Sequence, residues 1–388
     1  IIKAGLKLVE TGLIVRTWGN ISCRIDQNSF LITPSGRDYI SLTPDEIVAI
    51  NIDDCSYSGD VKPSSEKGIH ADVYRLFPEI NFVIHTHQEN ASIISTTGLN
   101  SIKLKDCNPY LGDEVICASY ALPGTKSLRR NVSDVLLNSK GKAIIMKHHG
   151  ALCIGKDYDE AFAVASELET VCHNFISNKY LELSGKDSFD STEMNKFAIS
   201  LHNKVENKIN NKDFKHYPNS KRTKNGFILY YDNGKEVEIQ LGHIKEFDSI
   251  EAKIYNSIYN KYEDINYILF KSTPEINTIS SSGISLRPLL DDFAQIVGPL
   301  AKNVEDDPSE IIAGLKKSSA IFIQNSGALC CGKSKEDAIA IGMIIEKACK
   351  AYLGASLFGK VKPINPAESM LMRSIYLKKY SKQIDKKS

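Results

Sequence analysis

Long apolar runs are missing from this chain of 388 residues, and none reaches the roughly 18 residues that a membrane-crossing helix needs. Charge of one sign is missing too. The formal net charge is +1, so no global field points to nucleic acid or to a membrane surface as partner. Paired cysteines are absent as well. Nine cysteines, an odd number with no CxxC among them, argue against a disulfide framework or a zinc knuckle and for free thiols in a reducing compartment. No signal-peptide pattern opens the chain, and the expected compartment is the cytoplasm. Histidine is scarce, with nine in the chain, which makes the grouping of a few of them informative.

The chain does have enough apolar residues, 42%, for real cores, and enough length for two domains of ordinary size. It also holds an internal repeat. Residues 78–98, PEINFVIHTHQENASIISTTG, face residues 263–283, EDINYILFKSTPEINTISSSG, so that Ile80-Asn81 meets Ile265-Asn266 and Gly98 meets Gly283. Further on, AIIMKHHGALCIGKDYDEA (143–161) faces AIFIQNSGALCCGKSKEDA (320–338). Two copies are expected, residues 1–190 and 191–388, with the boundary inside a polar, Lys/Asn-rich stretch at 184–225. That stretch carries a weakly amphipathic helix marked by Met194, Phe197, Leu201 and Val205.

Each copy reads as α/β. Residues 81–86 and 142–147 are short, β-branched apolar runs typical of strands buried on both faces. Residues 89–97 and 157–180 carry helical periodicity. In the second, Asp157 is the expected N-cap, and Ala161, Val164, Leu168, Val171 and Phe175 share one face. Thr33-Pro-Ser-Gly36 and Pro123-Gly-Thr125 punctuate as turns.

Chemistry concentrates in the first copy. Positions i and i+2 of a strand share a face, so His85 and His87 project side by side and can reach one ion. In Lys147-His-His-Gly150, strand alternation sets His149 with Lys147 and sets His148 with Ile144 and Met146. His149 is therefore the expected third ligand and His148 a structural residue. Three imidazoles leave a fourth metal position open, as in catalytic zinc sites. The second copy has Phe270 for His85, Ser272 for His87 and Ser326 for His149, a joint loss expected if the three serve one ion. Glu66 opens an amphipathic segment with Ile69, Val73, Leu76 and Phe77, and its counterpart Glu251 is retained. Ser64 and Ser65 at a helix start offer hydroxyls and backbone N–H groups suited to an anion. Gly19-Asn-Ile-Ser22 and Thr33-Pro-Ser-Gly36 add further donors.

Taken together, Gly-Asn-Ile-Ser (19–22), Thr-Pro-Ser-Gly (33–36), Pro-Ser-Ser-Glu (63–66), His-Thr-His (85–87) and His-His-Gly (148–150) resemble, in order and spacing, the class II aldolase/adducin family. The resemblance covers residues 5–180. It implies tandem three-layer α/β/α domains with mixed central sheets, the second copy degenerate and lacking the ligands. It implies a zinc ion, or another divalent metal, on His85, His87 and His149, with Glu66 lying against the metal and acting as base. Asn20, Ser35, Gly36, Ser64 and Ser65 would hold a substrate phosphate. The implied reaction is reversible cleavage of a phosphorylated ketose to dihydroxyacetone phosphate and an aldehyde. The family acid is a tyrosine from a neighbouring subunit. An ungapped match sets Cys107 there, a gapped one Tyr110, with Tyr120 a second candidate. Epimerases, dehydratases and decarboxylases of the family, and non-enzymatic adducin-like domains, are the alternatives, although the related epimerases carry aspartate where this chain has Glu66. A homo-oligomer is expected, either a dimer forming a four-domain ring or a tetramer.

Overall fold

The computed structural model describes residues 1–14, 18–201, 214–242 and 249–379. The chain divides into two units, Ile1–Gly185 and Lys186–Ser388.

The first unit begins with α1 (Ile2–Glu10), followed by the antiparallel ribbon β1 (Asn20–Arg24), β2 (Ser29–Ile32) and β3 (Val48–Asn51). Then come α2 (Lys67–Leu76), β4 (Phe82–Thr86), α3 (Glu89–Ser95) and the hairpin β5 (Ser101–Asn108) and β6 (Gly112–Ala118). The unit closes with α4 (Lys126–Asn138), β7 (Ala143–Met146), β8 (Gly150–Gly155) and α5 (Tyr158–Ser184). The eight strands form one sheet in the order β3-β2-β1-β4-β8-β7-β6-β5. It is mixed, since β6 and β7 run parallel while the other pairs are antiparallel.

Alternation along the strands assigns the two faces. Phe30, Ile32, Val83, Ile144, Met146, Leu152 and Ile154 join one core with Ile69, Val73 and Tyr74 of α2 and Leu128, Val132 and Leu136 of α4. Burying such side chains is worth about 25 cal/mol per Å² of apolar surface, which makes this layer the main support of the site. His85 lies two residues after Val83 and so points to the α2 side of the sheet. α3 and α5 pack on β4 and β8.

The second unit comprises α6 (Ser191–Ser200), β9 (Asn219–Arg222), β10 (Gly226–Tyr230), β11 (Glu236–Gln240), α7 (Ile250–Lys261) and β12 (Tyr267–Lys271). It continues through α8 (Pro274–Ser282), α9 (Asp291–Ile296), β13 (Asn303–Val304) and α10 (Pro308–Leu315). β14 (Ala320–Ile323), β15 (Gly327–Gly332), α11 (Lys335–Ser356) and α12 (Pro366–Lys379) complete it. Its strand order, β11-β10-β9-β12-β15-β14-β13, repeats that of the first sheet without a partner for β5. The ladders agree residue by residue. Ser22 pairs with Val83 and Ser220 with Ile268, while His85 pairs with Leu152 and Phe270 with Leu329.

The helix of residues 157–180 extends to Ser184, where Gly185 ends it in the left-handed conformation at φ 67°. Asp157 caps it by accepting from Glu160 N at 2.9 Å. Its buried stripe runs Ala161, Val164, Leu168, Cys172, Ile176 and Tyr180. Val171 and Phe175 are half-buried, because steps of four rather than three follow Leu168. In α6, Met194, Asn195, Ala198 and Ile199 are the buried residues, Leu201 is exposed, and Val205 lies outside the described residues. All nine cysteines are free thiols. Among the described residues no helix is long and apolar enough to cross a membrane.

Candidate metal centre and active site

β4 delivers the first two histidines. His85 is buried between β1 and β8, and His87 follows just past the strand on the same side. His149 arrives differently from the strand alternation expected for it. β7 ends at Met146, which pairs with Gly150 of β8, so residues 147–149 form the tight connection. Here His148 takes φ 61°, a left-handed conformation that histidine and asparagine tolerate better than most residues. The turn, not a strand face, aims His149 at the other two. His148 donates its backbone N–H to Ser95 O, and its ring meets Tyr120 edge-on at 5.3 Å.

His85, His87 and His149 place one nitrogen each within 4.8 Å of one another, and they are the group suited to a metal among the described residues. The His85 and His149 rings stack at 4.8 Å and 9°, with His87 edge-on to both. Two glycines make room for this. A Cβ on Gly150 would stand 2.2 Å from Thr86 O, and one on Gly19 (φ 102°) 2.5 Å from His85 O. Neither position accepts a larger residue without moving β4.

His85 Nδ1–H donates to Ala151 O at 2.9 Å, which fixes its tautomer and leaves the Nε2 lone pair facing the cluster. Burial holds this imidazole well below its ordinary pKa, so it is neutral. His85 Nε2 lies 2.9 Å from His87 Nε2 and 3.4 Å from Glu66 Oε2, while His149 Nε2 lies 2.7 Å from Glu66 Oε1. Glu66 occupies the N-cap position of α2 but caps nothing with its side chain, which turns instead into the cluster. Burial alone would raise the Glu66 pKa. The neighbouring imidazoles and hydrogen bonds from His149 and Asn20 outweigh it, so the carboxyl is held well below its ordinary value and stays ionised. Three clustered imidazole nitrogens, with a carboxylate against two of them, are a donor set that fits zinc or another divalent metal.

The expected phosphate residues fall into two groups. Ser35 and Ser64 lie on adjoining loops, joined by the Pro34–Pro63 bridge, with Ser35 N donating to Lys62 O and Ser64 N to Thr33 O. Gly36 follows at φ 70°, and Ser64 Oγ accepts from Glu66 N at 3.2 Å. Ser65 borders a cavity of about 180 Å³ between the N-terminal turns of α2 and α4, with Lys67, Lys126 and Arg129 around it. Asn20 is turned inward. Its Nδ2 donates to Glu66 Oε2 at 2.8 Å and its Oδ1 meets His70 Nε2 at 2.5 Å.

Tyr110 is not brought to the cluster of its own unit. It sits in the β5–β6 turn, where its carbonyl accepts from Lys142 N, at the start of β7. His149 follows the other end of that strand, roughly 13 Å away at about 3.3 Å per residue. The hairpin pairs β5 with β6 at the sheet edge and carries its tip away from the histidines. Cys107 is exposed on β5. Tyr120 follows the end of β6 that lies beside Met146, through the pairing of Ala118 with Met146, and is therefore at the histidine end of the sheet.

His70 was not among the residues singled out from the sequence. It stands one helical turn beyond Glu66, an i, i+4 spacing that puts both on one face of α2, and that spacing was the available signal.

Against known proteins, the chain is 31% identical over 180 residues to a 5-deoxy-D-ribulose 1-phosphate aldolase of Bacillus thuringiensis, covering 46% of this chain and 84% of the relative. It is 33% identical over 183 residues to a 5-methylthioribulose-1-phosphate/5-deoxyribulose-1-phosphate aldolase of Escherichia coli, covering 45% and 84%. An L-fuculose phosphate aldolase of Escherichia coli is 31% identical over 182 residues, covering 46% and 81%. A solved L-fuculose 1-phosphate aldolase is similar at 28% identity and a TM-score of 0.43, covering 50% of this chain and 89% of that one. The pattern of the class II aldolase and adducin N-terminal domain matches twice, at residues 1–176 and 216–353, and the chain belongs to that family.

Proposed function

We propose that this chain is a zinc-dependent class II aldolase, a lyase whose first domain (residues 1–190) reversibly cleaves a phosphorylated ketose to dihydroxyacetone phosphate and an aldehyde. The second domain (191–388), without the ligands, is a degenerate partner with no site of its own. The observation that carries this reading is the cluster of His85, His87 and His149, with the Glu66 carboxylate lying against His85 and His149. The relatives, named as aldolases of sugar phosphates, support the substrate class.

Zinc held by the three imidazoles would supply Lewis acidity toward the ketone oxygen and its neighbouring hydroxyl. Glu66 takes the proton at the substrate carbon that becomes the nucleophile, and the neighbouring groups keep it in the ionised form that can accept one. The adjoining Ser35–Gly36 and Ser64–Ser65 loops present their hydroxyls to the phosphate, whereas Asn20 is engaged by Glu66 and His70. Tyr110 lies far from its own unit's histidines, so an acid role for it requires a second chain. Four chains whose first domains touch would supply that, whereas a two-chain ring in which first and second domains alternate would not.

The test is a retro-aldol assay across phosphorylated ketoses, reading dihydroxyacetone phosphate release from zinc-loaded chain. Release that disappears on removal of zinc and of the substrate phosphate is the expected result. Turnover of the non-phosphorylated ketose at the same efficiency would overturn the phosphate assignment. Product with an inverted carbon but no release would replace cleavage with epimerisation.

A further inference from the structure

Behind Glu66 runs a buried chain of hydrogen bonds that the proposed reaction does not by itself require. Tyr74 OH lies 2.6 Å from Ser22 Oγ, and Ser22 Oγ lies 2.6 Å from His70 Nδ1. His70 Nε2 meets Asn20 Oδ1, and Asn20 Nδ2 reaches Glu66 Oε2. All five side chains are buried.

The direction of every bond in this chain is forced. An ionised carboxylate only accepts, so the Asn20 amide must turn its NH2 to Glu66 and its carbonyl to His70. His70 must therefore carry its proton on Nε2. Burial lowers its pKa to about 4, so the ring is neutral and Nδ1 is bare. Nδ1 then accepts from Ser22, and Ser22 accepts from Tyr74. Turning the amide over would set two acceptors against each other at 2.8 Å in a buried site.

The second unit shows which links belong to the fold and which to the site. Ser22, Tyr74 and Arg24 recur as Ser220, Tyr259 and Arg222. Tyr259 OH donates to Ser220 Oγ at 3.1 Å, and both arginines donate to carbonyls near the C-terminal end of the helix that follows in the chain, α2 for Arg24 and α7 for Arg222. The two links nearest the carboxylate do not recur. His70 is replaced by Tyr255 and Asn20 by Pro218, and Tyr255 OH donates to Pro218 O at 2.7 Å. Glu251, the counterpart of Glu66, pairs with Lys215 instead.

We propose that His70 is a positioning residue: its Nε2–H locks the Asn20 amide in the one orientation that holds Glu66 Oε2, and so aims the carboxylate at the three histidines. It rests on the reading of Glu66 as the base. His70 touches no reacting atom. It acts through Asn20, which explains why both are present where the histidine cluster is present and both are gone where the cluster is gone.

Two substitutions test it in the full-length chain. His70→Tyr imports the residue that the second unit already buries at this place, and His70→Gln keeps an N–H donor near the Nε2 position. In His70→Tyr, zinc content per chain should stay at the wild-type value and KM within about twofold. Its kcat should fall about 10- to 100-fold, the cost of a misplaced catalytic group. His70→Gln should recover most of that loss. A kcat for His70→Tyr within twofold of wild type overturns the proposal. So does a loss that follows zinc content, or a His70→Gln variant no better than His70→Tyr. If the wild-type chain cleaves no phosphorylated ketose, the aldolase reading fails, and His70 is judged by two other measurements. Imidazole 15N spectra should show His70 as the Nε2–H tautomer from about pH 5.5 to 8.5, and crystals of His70→Tyr should show Glu66 detached from Asn20. An Nδ1–H tautomer, or a Glu66 still held by Asn20, refutes the positioning role.

Discussion

The two units place a glutamate at the same point of the same fold and surround it differently. In the first, Glu66 faces the imidazoles of His85 and His149 and an asparagine. In the second, Glu251 pairs with Lys215 at 3.2 Å, and Lys215 also reaches Asp306 at 2.7 Å. Phe270 stands where His85 would, with the rings of His216 and Tyr217 packed on it at 4.8 and 5.3 Å. A carboxylate partly withdrawn from water needs a cation or strong donors to stay charged. One unit meets that need with groups that can bind a metal, the other with a lysine. What both units keep therefore belongs to the fold: the arginine on the helix-end carbonyls, the Tyr–Ser pair, and the left-handed residue between the last two strands, His148 at φ 61° and Asn325 at φ 52°. What the first unit alone keeps is the set of groups around its glutamate, namely the three clustered histidines, Asn20 and His70.

The strongest way to break this contrast is to remove the carboxylate charge from each unit in turn. Glu66→Gln should lower turnover by about 10²–10⁴-fold with fold and zinc content retained, whereas Glu251→Gln should leave kcat within about twofold. Equal losses of thermal stability from both, with no separate effect on turnover, would make Glu66 a structural residue like its counterpart. Metal content sharpens the same point. Elemental analysis should find one divalent ion per chain, lost in His149→Ala, and two ions per chain would mean that the second unit binds metal without these histidines.

A third measurement uses pH. His70 has a folded pKa of about 4, lowered by burial, against about 6.5 for an exposed histidine. The unfolded chain thus takes up this proton at higher pH than the folded one. The contribution is complete above about pH 6.5 and is lost as pH falls toward 4, amounting to roughly 3 kcal/mol. The urea midpoints of the full chain at pH 7.5 and 4.5 should differ less in His70→Gln than in wild type. Equal differences would show that His70 does not titrate in this window. The smallest effect is expected from Lys215→Met, which takes the cation from Glu251. The pair is partly exposed, so about 1 kcal/mol of stability should be lost, with turnover unaltered. A loss of turnover would show that the second unit reaches the chemistry after all.

Much of the candidate site was legible because it is written in local spacing. His85-Thr-His87 shares a strand face by the period of two, Ser64-Ser65 sits at a helix start, and Glu66 and Glu251 fall at matching places in the repeat. The α/β character and the two copies were legible for the same reason, since apolar periodicity and repeated strings survive without any knowledge of contacts. His149 was selected by strand alternation, yet a turn delivers it, because the ladder ends at Met146 rather than running on. Asn20 was assigned to phosphate from its Gly-Asn turn, and its inward bonds to Glu66 and His70 were not visible there. Tyr110 was chosen for its chemical type, and the edge hairpin placed it at the far end of its strand.

The sequence by itself determined which groups could hold a metal and which copy could not, because ligand identity and i, i+2 spacing are local properties. Only the tertiary structure decided what those groups do to one another. The Asn20–Glu66 contact spans 46 positions and the His149–Glu66 contact 83. Such contacts depend on sheet order and on the packing of α2 against β1 and β4, and no window of the sequence contains them. The polarity of the chain from Tyr74 to Glu66 is likewise set by burial, which removes the water that would otherwise let each donor and acceptor choose its own partner.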